Sequence, residues 1–262
     1  MYWVYNLPNW LFELLTIMFF VGFSLVGMLP TRRWVARIHV QRSHNDIVGF
    51  YLAAVTVLYG VTLGLLAIGA WTTYTETEAK VARESAALST LYRTAGGLPE
   101  PTRGLLRDDL RNYARQVIDI SWPEQQRGIL PLEDRAALRK FRTDFESFNP
   151  TTETQKILEA EIVQQFDMLQ ETRSMRLDSV RDELPTPLWT LILAGGLICI
   201  VVTWFFHMES LSMHTWMTVL FAGLLGLMVF MVAALDNPYR GKISVSSDPL
   251  VRVYQIMNKP SP

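Results

Sequence analysis

The sequence is poor in cysteine, and its opening residues are poor in positive charge. Cys199 is the single cysteine among 262 residues, so no disulfide can form within one chain. Residues 1–9 contain no lysine or arginine. A secretory signal peptide begins with a basic segment, so this absence predicts that the first apolar segment stays in the protein as an anchor.

Signature motifs of common enzymes are absent as well. There is no Walker loop, no dinucleotide-binding glycine fingerprint, no nucleophile elbow and no HExxH zinc motif. The 24 basic and 25 acidic side chains give a formal net charge of −1, and this balance disfavours nucleic acid as a partner. We therefore expect neither an enzyme nor a nucleic-acid-binding protein, and we expect no cofactor.

Four long apolar segments are the main positive feature of the chain. Each is long enough to cross a hydrocarbon core of about 30 Å as a helix. Tryptophans lie near the segment ends, where indole rings sit at the headgroup level of a bilayer. The predicted spans are residues 10–29, 47–71, 188–206 and 215–235. The sequence therefore predicts an integral membrane protein with four transmembrane helices, surrounded by membrane lipid.

The region between the second and third spans is rich in charge, and its apolar residues recur at helical spacing. Leu106, Leu110 and Tyr113 step by four and three residues, and Pro150 and Thr152 mark the start of a further helix. These patterns predict an all-α protein with a helical soluble domain inserted between two membrane hairpins. The predicted ranges are a first hairpin at 1–71, the soluble domain at 72–184, a second hairpin at 185–235 and a tail at 236–262.

The second span carries an edge of small side chains. At 100° per residue, these positions fall within an arc of about 80° on one side of the helix. They are Gly49, Ala53, Thr56, Gly60, Gly64 and Ala67. Two interpretations stay open: the edge lets membrane helices pack closely, or it surrounds a symmetry axis and lines a narrow pore.

The second span is also expected to continue beyond the membrane. No glycine or proline interrupts residues 70–95, and both residue types would weaken a helix at that point. The span and the first helix of the soluble domain are therefore predicted to form one continuous helix of about 48 residues.

Basic residues and histidines gather beside two short loops on one predicted face of the membrane. The arginines of the first loop are either a topology signal or the vestibule of an anion pore; they are Arg32, Arg33, Arg37 and Arg42. The histidines are candidates for sensing pH, because imidazole titrates near neutrality; they are His39, His44, His207 and His214. Their spacing does not suit a metal site, so we expect no metal.

Several short strings resemble a bacterial family of bestrophin-like membrane proteins, which is distantly similar to the bestrophin anion channels. The similarity follows the order of the strings along nearly the whole chain. The matching positions are His44-Asn45-Asp46, Tyr59-Gly60, Leu63-Gly64, Glu84, Leu91-Tyr92-Arg93, Trp122-Pro123 and Asp236-Asn237-Pro238-Tyr239-Arg240-Gly241.

This resemblance implies a homo-oligomer, by analogy a pentamer, in a bacterial inner membrane. It implies that anions such as chloride flow passively through a pore lined by the second transmembrane helix. One departure is that the second span lacks the run of bulky apolar residues on one face that forms the bestrophin neck; the comparable edge consists here of glycine, alanine and threonine. The alternative function is a non-conducting sensor or scaffold whose soluble domain binds a partner. The arginine-rich loop and the bestrophin topology favour opposite orientations, so the side of the soluble domain stays open.

Overall fold

The structure is a computed structural model that describes residues 7–35, 37, 44–131 and 134–259. Helices dominate these ranges. In chain order they are α1 (Asn9–Val35), α2 (His44–Ala95), α3 (Thr102–Gln116), α4 (Trp122–Gln126), α5 (Asp134–Glu146), α6 (Glu153–Asp178), α7 (Thr186–Thr203), α8 (Leu211–Asp236) and α9 (Asp248–Met257). A π-helical turn, Val117–Ser121, joins α3 to α4, and a 3-10 turn, Ser179–Arg181, follows α6.

The prediction of an all-helical membrane protein is confirmed. The described ranges contain no strand, and α1, α2, α7 and α8 are each long and apolar enough to cross a membrane. Each of them overlaps one predicted span. α7 ends at Thr203, three residues before the predicted end of the third span, and the chain then forms a loop that leads to Leu211.

Two compact units divide the chain. The span unit contains the residues up to Thr72, Glu183–Asp236 and Gly241–Ile243. The polar unit contains Thr73–Asp182, Asn237–Arg240 and the chain from Ser244 onward. The first part of α2, α1, α7 and α8 therefore belong to the span unit, and the remaining helices belong to the polar unit.

The second helix is continuous, as the sequence predicted. α2 has 52 residues, which corresponds to about 78 Å at the α-helical rise. It ends where the amides of Gly96 and Gly97 close the last turn on the carbonyls of Arg93 and Thr94, both at 3.0 Å. The glycine pair therefore ends α2, whereas residues 70–95 contain no glycine or proline that would end it earlier.

Close helix contacts in the span unit form at glycines outside the small edge of α2. A Cβ atom on Gly226 of α8 would lie 2.9 Å from the Cα atom of Ile17 in α1. A Cβ atom on Gly195 of α7 would lie 2.5 Å from the ring of Tyr59 in α2. Since small residues let membrane helices approach one another, these two glycines allow the close approach of α8 to α1 and of α7 to α2.

The polar unit has one apolar core built by α2, α3, α5, α6 and α9. Leu88, Leu106 and Ile162 are fully buried in it. The start of α6 follows the predicted position, because Thr152 and Gln155 form a capping box. This reciprocal pair satisfies two backbone donors that the first turn of a helix otherwise leaves free.

Helix α9 is held on the polar unit at both ends. The Ser85 hydroxyl donates to the Pro249 carbonyl at 2.8 Å. The Tyr92 hydroxyl and Nε of Arg111 both donate to the Met257 carbonyl at 3.0 Å. An arginine is favourable there, because the carbonyl end of a helix carries partial negative charge.

Candidate functional site

The apolar part of α2 is the least covered of the four candidate spans. Within the chain, 11% of its most apolar window is buried, compared with 50% for α8. The covered positions include Tyr59, Leu63 and Ala70, which lie on one edge. The Tyr59 hydroxyl donates to the Ile192 carbonyl of α7 at 2.9 Å. At 100° per residue, this packed edge lies about 80° from the centre of the small edge.

The small edge is open within the chain. A Cβ atom on Gly60 or Gly64 would meet no heavy atom within 4 Å, apart from its own helix, among the described residues. The Thr56 hydroxyl donates back to a carbonyl of α2 at 2.7 Å, so it needs no outside partner. The other members are half-buried or exposed: Gly49, Ala53 and Ala67. Close packing on another helix of the same chain is therefore not the role of Gly60 and Gly64 in the described part of the protein.

A third edge of α2 is bulky and exposed. Phe50, Val57, Val61 and Ile68 have exposed fractions between 60% and 74%. At 100° per residue they fall within an arc of about 40°, roughly opposite the packed edge. The expectation that the second span lacks a bulky apolar run is wrong, because this edge lies about 80° from the small edge on the same helix.

The loop between α7 and α8 is held by the first residues of α2. Nδ2 of Asn45 donates to the His207 carbonyl at 2.7 Å, and Oδ1 of Asn45 accepts from the His207 amide at 2.9 Å. Nε2 of His44 lies 2.8 Å from the Phe205 carbonyl. Two residues of the His44-Asn45-Asp46 string thus bind backbone groups of the loop.

The predicted arginine cluster contains one anchored and two exposed side chains. The Arg32 guanidinium donates to the Glu209 carbonyl at 3.0 Å, which joins the end of α1 to the same loop. Arg33 and Arg37 are exposed and form no ion pair with another described residue. Arg42 lies outside the described residues.

The described histidines His44, His207 and His214 make separate contacts. His214 is 2% exposed, and its Nε2 lies 3.3 Å from the Thr203 carbonyl. Its Nδ1 is buried without a hydrogen-bond partner among the described residues. His44 contacts the Phe205 carbonyl, and the His207 backbone contacts Asn45, in the loop between α7 and α8. His39 lies outside the described residues.

A buried ion pair occupies the centre of the polar unit. Glu84 of α2 and Arg176 of α6 are both 0% exposed. Nε and Nη2 of Arg176 donate to the Glu84 carboxylate, the second at 3.2 Å, and the Tyr113 hydroxyl of α3 donates to it at 2.5 Å. Burial works against the charged guanidinium, but the Glu84 carboxylate outweighs it and raises the pKa of Arg176. One carboxylate therefore joins three helices.

Tyr239, which follows α8 in the chain, joins this cluster. Its hydroxyl lies 3.2 Å from both the Arg176 carbonyl and Oγ of Ser179. Its ring packs edge-to-face on Trp122, with 5.6 Å between ring centroids. Burial raises the pKa of Tyr239 to about 12. Glu84, Trp122 and Tyr239 come from three separate strings of the sequence and meet in this one region.

The residue that ends α8 holds the start of the second hairpin. Oδ1 of Asp236 accepts from the Leu184 amide at 2.6 Å, and Oδ2 accepts from Nε1 of Trp189 at 3.0 Å. Gly241, five residues on, has a φ of 82°, a backbone conformation that favours glycine. Asp236 and Gly241 of the last string therefore shape a turn.

The other string residues lie at helix ends or in that turn. Asp46 is exposed in the first turn of α2, and Arg93 is exposed in its last turn. Pro123 lies in the first turn of α4, directly after the π-helical turn Val117–Ser121. The Pro238 carbonyl accepts from the Val245 amide at 2.8 Å. Asp46 and Arg93 thus lie at the two ends of α2, and the two prolines lie where the backbone changes course.

A second charge cluster joins α3 to α5. Nζ of Lys140 lies 2.6 Å from Asp109 and 2.7 Å from Asp144. Burial raises the pKa of Asp109, although Lys140 acts in the opposite direction. The hydrogen bond from Lys140 lowers the pKa of the more exposed Asp144. One lysine thus serves two carboxylates in different environments.

Two members of the buried cluster were missed in the sequence. Arg176 lies seven residues after Leu169, which is fully buried, so a charged residue in register with an apolar face was the available signal. Tyr113 was assigned only to the apolar spacing of its helix, and its hydroxyl was not considered.

The comparisons with known proteins agree in one family and one fold. A family model described as the bestrophin-like domain matches residues 18–250. A comparison with curated protein sequences gives no significant match.

Solved structures of bacterial bestrophin homologues share the fold. A variant of the homologue from Klebsiella pneumoniae gives a TM-score of 0.69 at 10% identity, covering 94% of this chain and 99% of that one. The zinc-phased structure of the Klebsiella pneumoniae homologue gives 0.68 at 10% identity, covering 93% and 96%. A variant described as a membrane protein gives 0.69 at 11% identity, covering 94% and 98%. With its four apolar helices and the matched family model, the chain is an integral membrane protein that belongs to the bestrophin-like family.

Proposed function

We propose that the protein is a homo-oligomeric channel of a bacterial inner membrane, in which anions such as chloride flow passively through a pore lined by α2. Family membership and the fold shared with bacterial bestrophin homologues support this proposal. The observation that carries it is the exposure of α2, whose bulky edge and small edge are both uncovered within one chain.

The open glycines are the part of this exposure that lipid does not explain. Glycine inside a helix costs about 1 kcal/mol relative to alanine, and a helix surrounded by lipid alone gains nothing in return. Gly60 and Gly64 are four residues apart, the spacing that lets a second membrane helix come close. We infer that the small edge of α2 contacts a neighbouring copy of the chain.

A ring of copies gives each edge of α2 a consistent role. In such a ring the packed edge of each α2 faces the rest of its own chain, so the opposite edge faces the axis. That opposite edge carries Phe50, Val57, Val61 and Ile68. Apolar side chains around a narrow axis form a constriction that opens and closes by wetting. The small edge lies between the two and faces the next copy.

We propose that the polar unit is a soluble domain inserted between the second and third spans. Its surface carries ion pairs suited to water, such as Arg142 with Glu146 at 2.8 Å.

At the arginine-rich end of α1, Arg33 and Arg37 are exposed. In an oligomer these cations would raise the local anion concentration near a pore mouth.

Chloride efflux from liposomes tests the channel. Cys199, the single cysteine, is 0% exposed, so an introduced cysteine can be modified selectively. We expect modification of a Val61→Cys variant by a charged methanethiosulfonate reagent to reduce chloride flux strongly. The matched control is Val26→Cys on α1, where the valine is 74% exposed and outside the proposed pore. The proposal is wrong if purified oligomers pass no more chloride than empty vesicles at every pH examined.

Oligomeric state separates the channel from its rival. Particle images of a ring with an axial gap lined by α2 support conduction. A monomer, or a dimer with a filled centre, supports a non-conducting sensor or scaffold whose polar unit binds a partner.

We further propose that histidines beside the connection from α7 to α8 influence gating. Protonation of His214 would place a second charge near the Arg32 side chain in a buried region. Nε2 of His44 lies 2.8 Å from the Phe205 carbonyl in the same connection. Flux between about pH 5 and pH 8, the range in which imidazole titrates, should change less with pH in His44→Gln and His214→Gln variants. An unchanged pH profile in both variants removes this part of the proposal.

A further inference from the structure

The end of α1 presents exposed cations beside an exposed aromatic pair. Arg33 and Arg37 are exposed and form no ion pair with another described residue. Trp34 lies between them in the chain and is 55% exposed. Its ring packs edge-to-face on Phe205, which is 36% exposed, with 6.4 Å between centroids. An apolar surface and two available cations therefore occur together where a candidate span ends.

The other charged groups at this end leave an excess of positive charge. Arg32 is anchored to the Glu209 carbonyl, which is a neutral acceptor, so its charge is not cancelled by that contact. The carboxylates at this end are those of Asp46 and Glu209, both exposed. The nearby histidines are His44 and His207. The described arginines therefore outnumber the described carboxylates.

The opposite end of the same spans has a different charge. α1 and α8 run antiparallel, because Gly226 of α8 lies against Ile17 of α1 while Arg32 reaches the loop before α8. The described charged residues towards that other end include Glu13, Glu183 and Asp236. Carboxylates are thus more frequent towards that end, which also carries the exposed Lys242 in the turn after α8.

We propose that the exposed surface formed by Arg33, Trp34, Arg37 and Phe205 binds the headgroup of an anionic phospholipid. Guanidinium groups donate several hydrogen bonds in a geometry that fits phosphate oxygens. Tryptophan at the end of a span packs at the headgroup level of the bilayer. Each basic residue near an anionic leaflet adds attraction, whereas a zwitterionic headgroup offers no net charge. The occupant is a lipid because the surface lies at the end of a membrane helix.

Binding of phosphatidylglycerol, compared with phosphatidylcholine of the same acyl chains, tests the proposal on the purified full-length protein. Native mass spectrometry counts bound lipids over a range of lipid concentrations. We expect the unmodified protein to prefer phosphatidylglycerol and the Arg33→Gln/Arg37→Gln variant to lose that preference by about tenfold or more. The matched control is Arg135→Gln/Arg139→Gln, which removes two exposed arginines four residues apart on α5. The control should keep the preference.

A second measurement uses the unmodified protein, in case the double variant does not fold. Phosphatidylglycerol with a photoreactive diazirine in its headgroup is crosslinked in vesicles, and the adducts are located by peptide mapping. We expect adducts on residues 32–37 and competition by unlabelled phosphatidylglycerol. The proposal is overturned if adducts avoid this segment, or if both arginine pairs affect the preference equally. Equal binding of the two lipids also overturns it and leaves the arginines as a topology signal.

Discussion

The carboxylate of Glu84 and the guanidinium of Arg176 form an ion pair that is closed to solvent, although 92 residues separate them in the chain. Removing one partner leaves the other as an uncompensated buried charge, which typically costs 3–5 kcal/mol, whereas apolar replacement of both partners is often tolerated. We therefore expect Glu84→Met to lower the free energy of unfolding by about 3–5 kcal/mol. The double variant Glu84→Met/Arg176→Met should recover much of this loss.

Denaturant unfolding in detergent, followed by far-UV circular dichroism, measures both effects. The control is Lys80→Met, because Lys80 pairs with the partly exposed Asp182 at 3.4 Å, and exposed pairs contribute at most about 1 kcal/mol. Arg176→Met alone completes the cycle, and a loss in the double variant equal to the sum of the two single losses would show that the two charges are not coupled.

The raised pKa of Tyr239 leads us to expect a loss of stability at alkaline pH. Its folded pKa of about 12 exceeds the unfolded value of about 10, so folding favours the neutral hydroxyl. The stability that this preference contributes is complete below about pH 10 and is lost as the pH rises to about 12. At neutral pH, Tyr239→Phe should lower stability by about 1 kcal/mol, because the hydroxyl contacts are lost.

Thermal unfolding midpoints between about pH 8 and pH 12 test this sign. The wild-type protein should lose stability relative to Tyr239→Phe across the upper part of that range. Midpoints that fall in parallel for the two proteins would contradict the role of burial at this hydroxyl.

Asp109 and Asp144 should show opposite pH dependence, although both contact Lys140. The raised pKa of Asp109 means that its contribution to stability is present below its unfolded pKa and is lost as the pH rises. The lowered pKa of Asp144 means that its contribution is present above its unfolded pKa and is lost as the pH falls. Relative to wild type, Asp109→Asn should gain stability from about pH 4 to pH 7, and Asp144→Asn should lose it. Melting curves at several pH values give the stability of each variant relative to wild type. Slopes of this difference against pH that have the same sign for both variants would contradict the prediction.

Two glycines of α8 differ in what surrounds them. Gly226→Ala places a methyl group 2.9 Å from the backbone of Ile17, whereas Gly223 has no neighbour from another element within 4 Å in the described structure. We expect Gly226→Ala to cost about 1–3 kcal/mol through overpacking. Gly223→Ala should be neutral or slightly stabilising, because alanine favours the helix. Thermal unfolding of the two variants provides the comparison, and equal destabilisation would argue against close packing of α1 on α8.

The open edge of α2 predicts a defect in assembly without unfolding. Gly60→Leu/Gly64→Leu adds bulk where no heavy atom of another element lies nearby, so one chain should fold normally. Contact with a neighbouring copy should be blocked, and the oligomer should dissociate in light scattering after size-exclusion chromatography. The control is Gly22→Leu, an open glycine on α1. An intact oligomer in the double variant would place the subunit contact elsewhere.

The number and position of the helices followed from the sequence, because apolar periodicity and segment length are local properties. The 52-residue α2 was predictable for the same reason, since its interior lacks breakers. A bulky edge on this helix was also predictable from the sequence, because a rotation of 100° per residue places its members on one side. They are Phe50, Val57, Val61 and Ile68.

The glycine contacts were not predictable in this way. Gly60 and Gly226 look alike in sequence, since both lie among apolar residues of a span. Only the fold decides that Gly226 meets the backbone of α1 while Gly60 stays open. The hydrogen bonds between the Asn45 side chain and the His207 backbone were equally unpredictable, because 162 residues separate the two in the chain.

The anchoring of α9 has a consequence for where the chain tolerates cutting. Ser85, Tyr92 and Arg111 donate to carbonyls that only the last described helix supplies. Proteolysis or truncation ahead of Asp248 would remove the carbonyl acceptors of these three donors. It would also expose the apolar core surface on which Leu250 packs, so such a shortened product should aggregate. Fusion of a reporter after Lys259 leaves every one of these bonds in place.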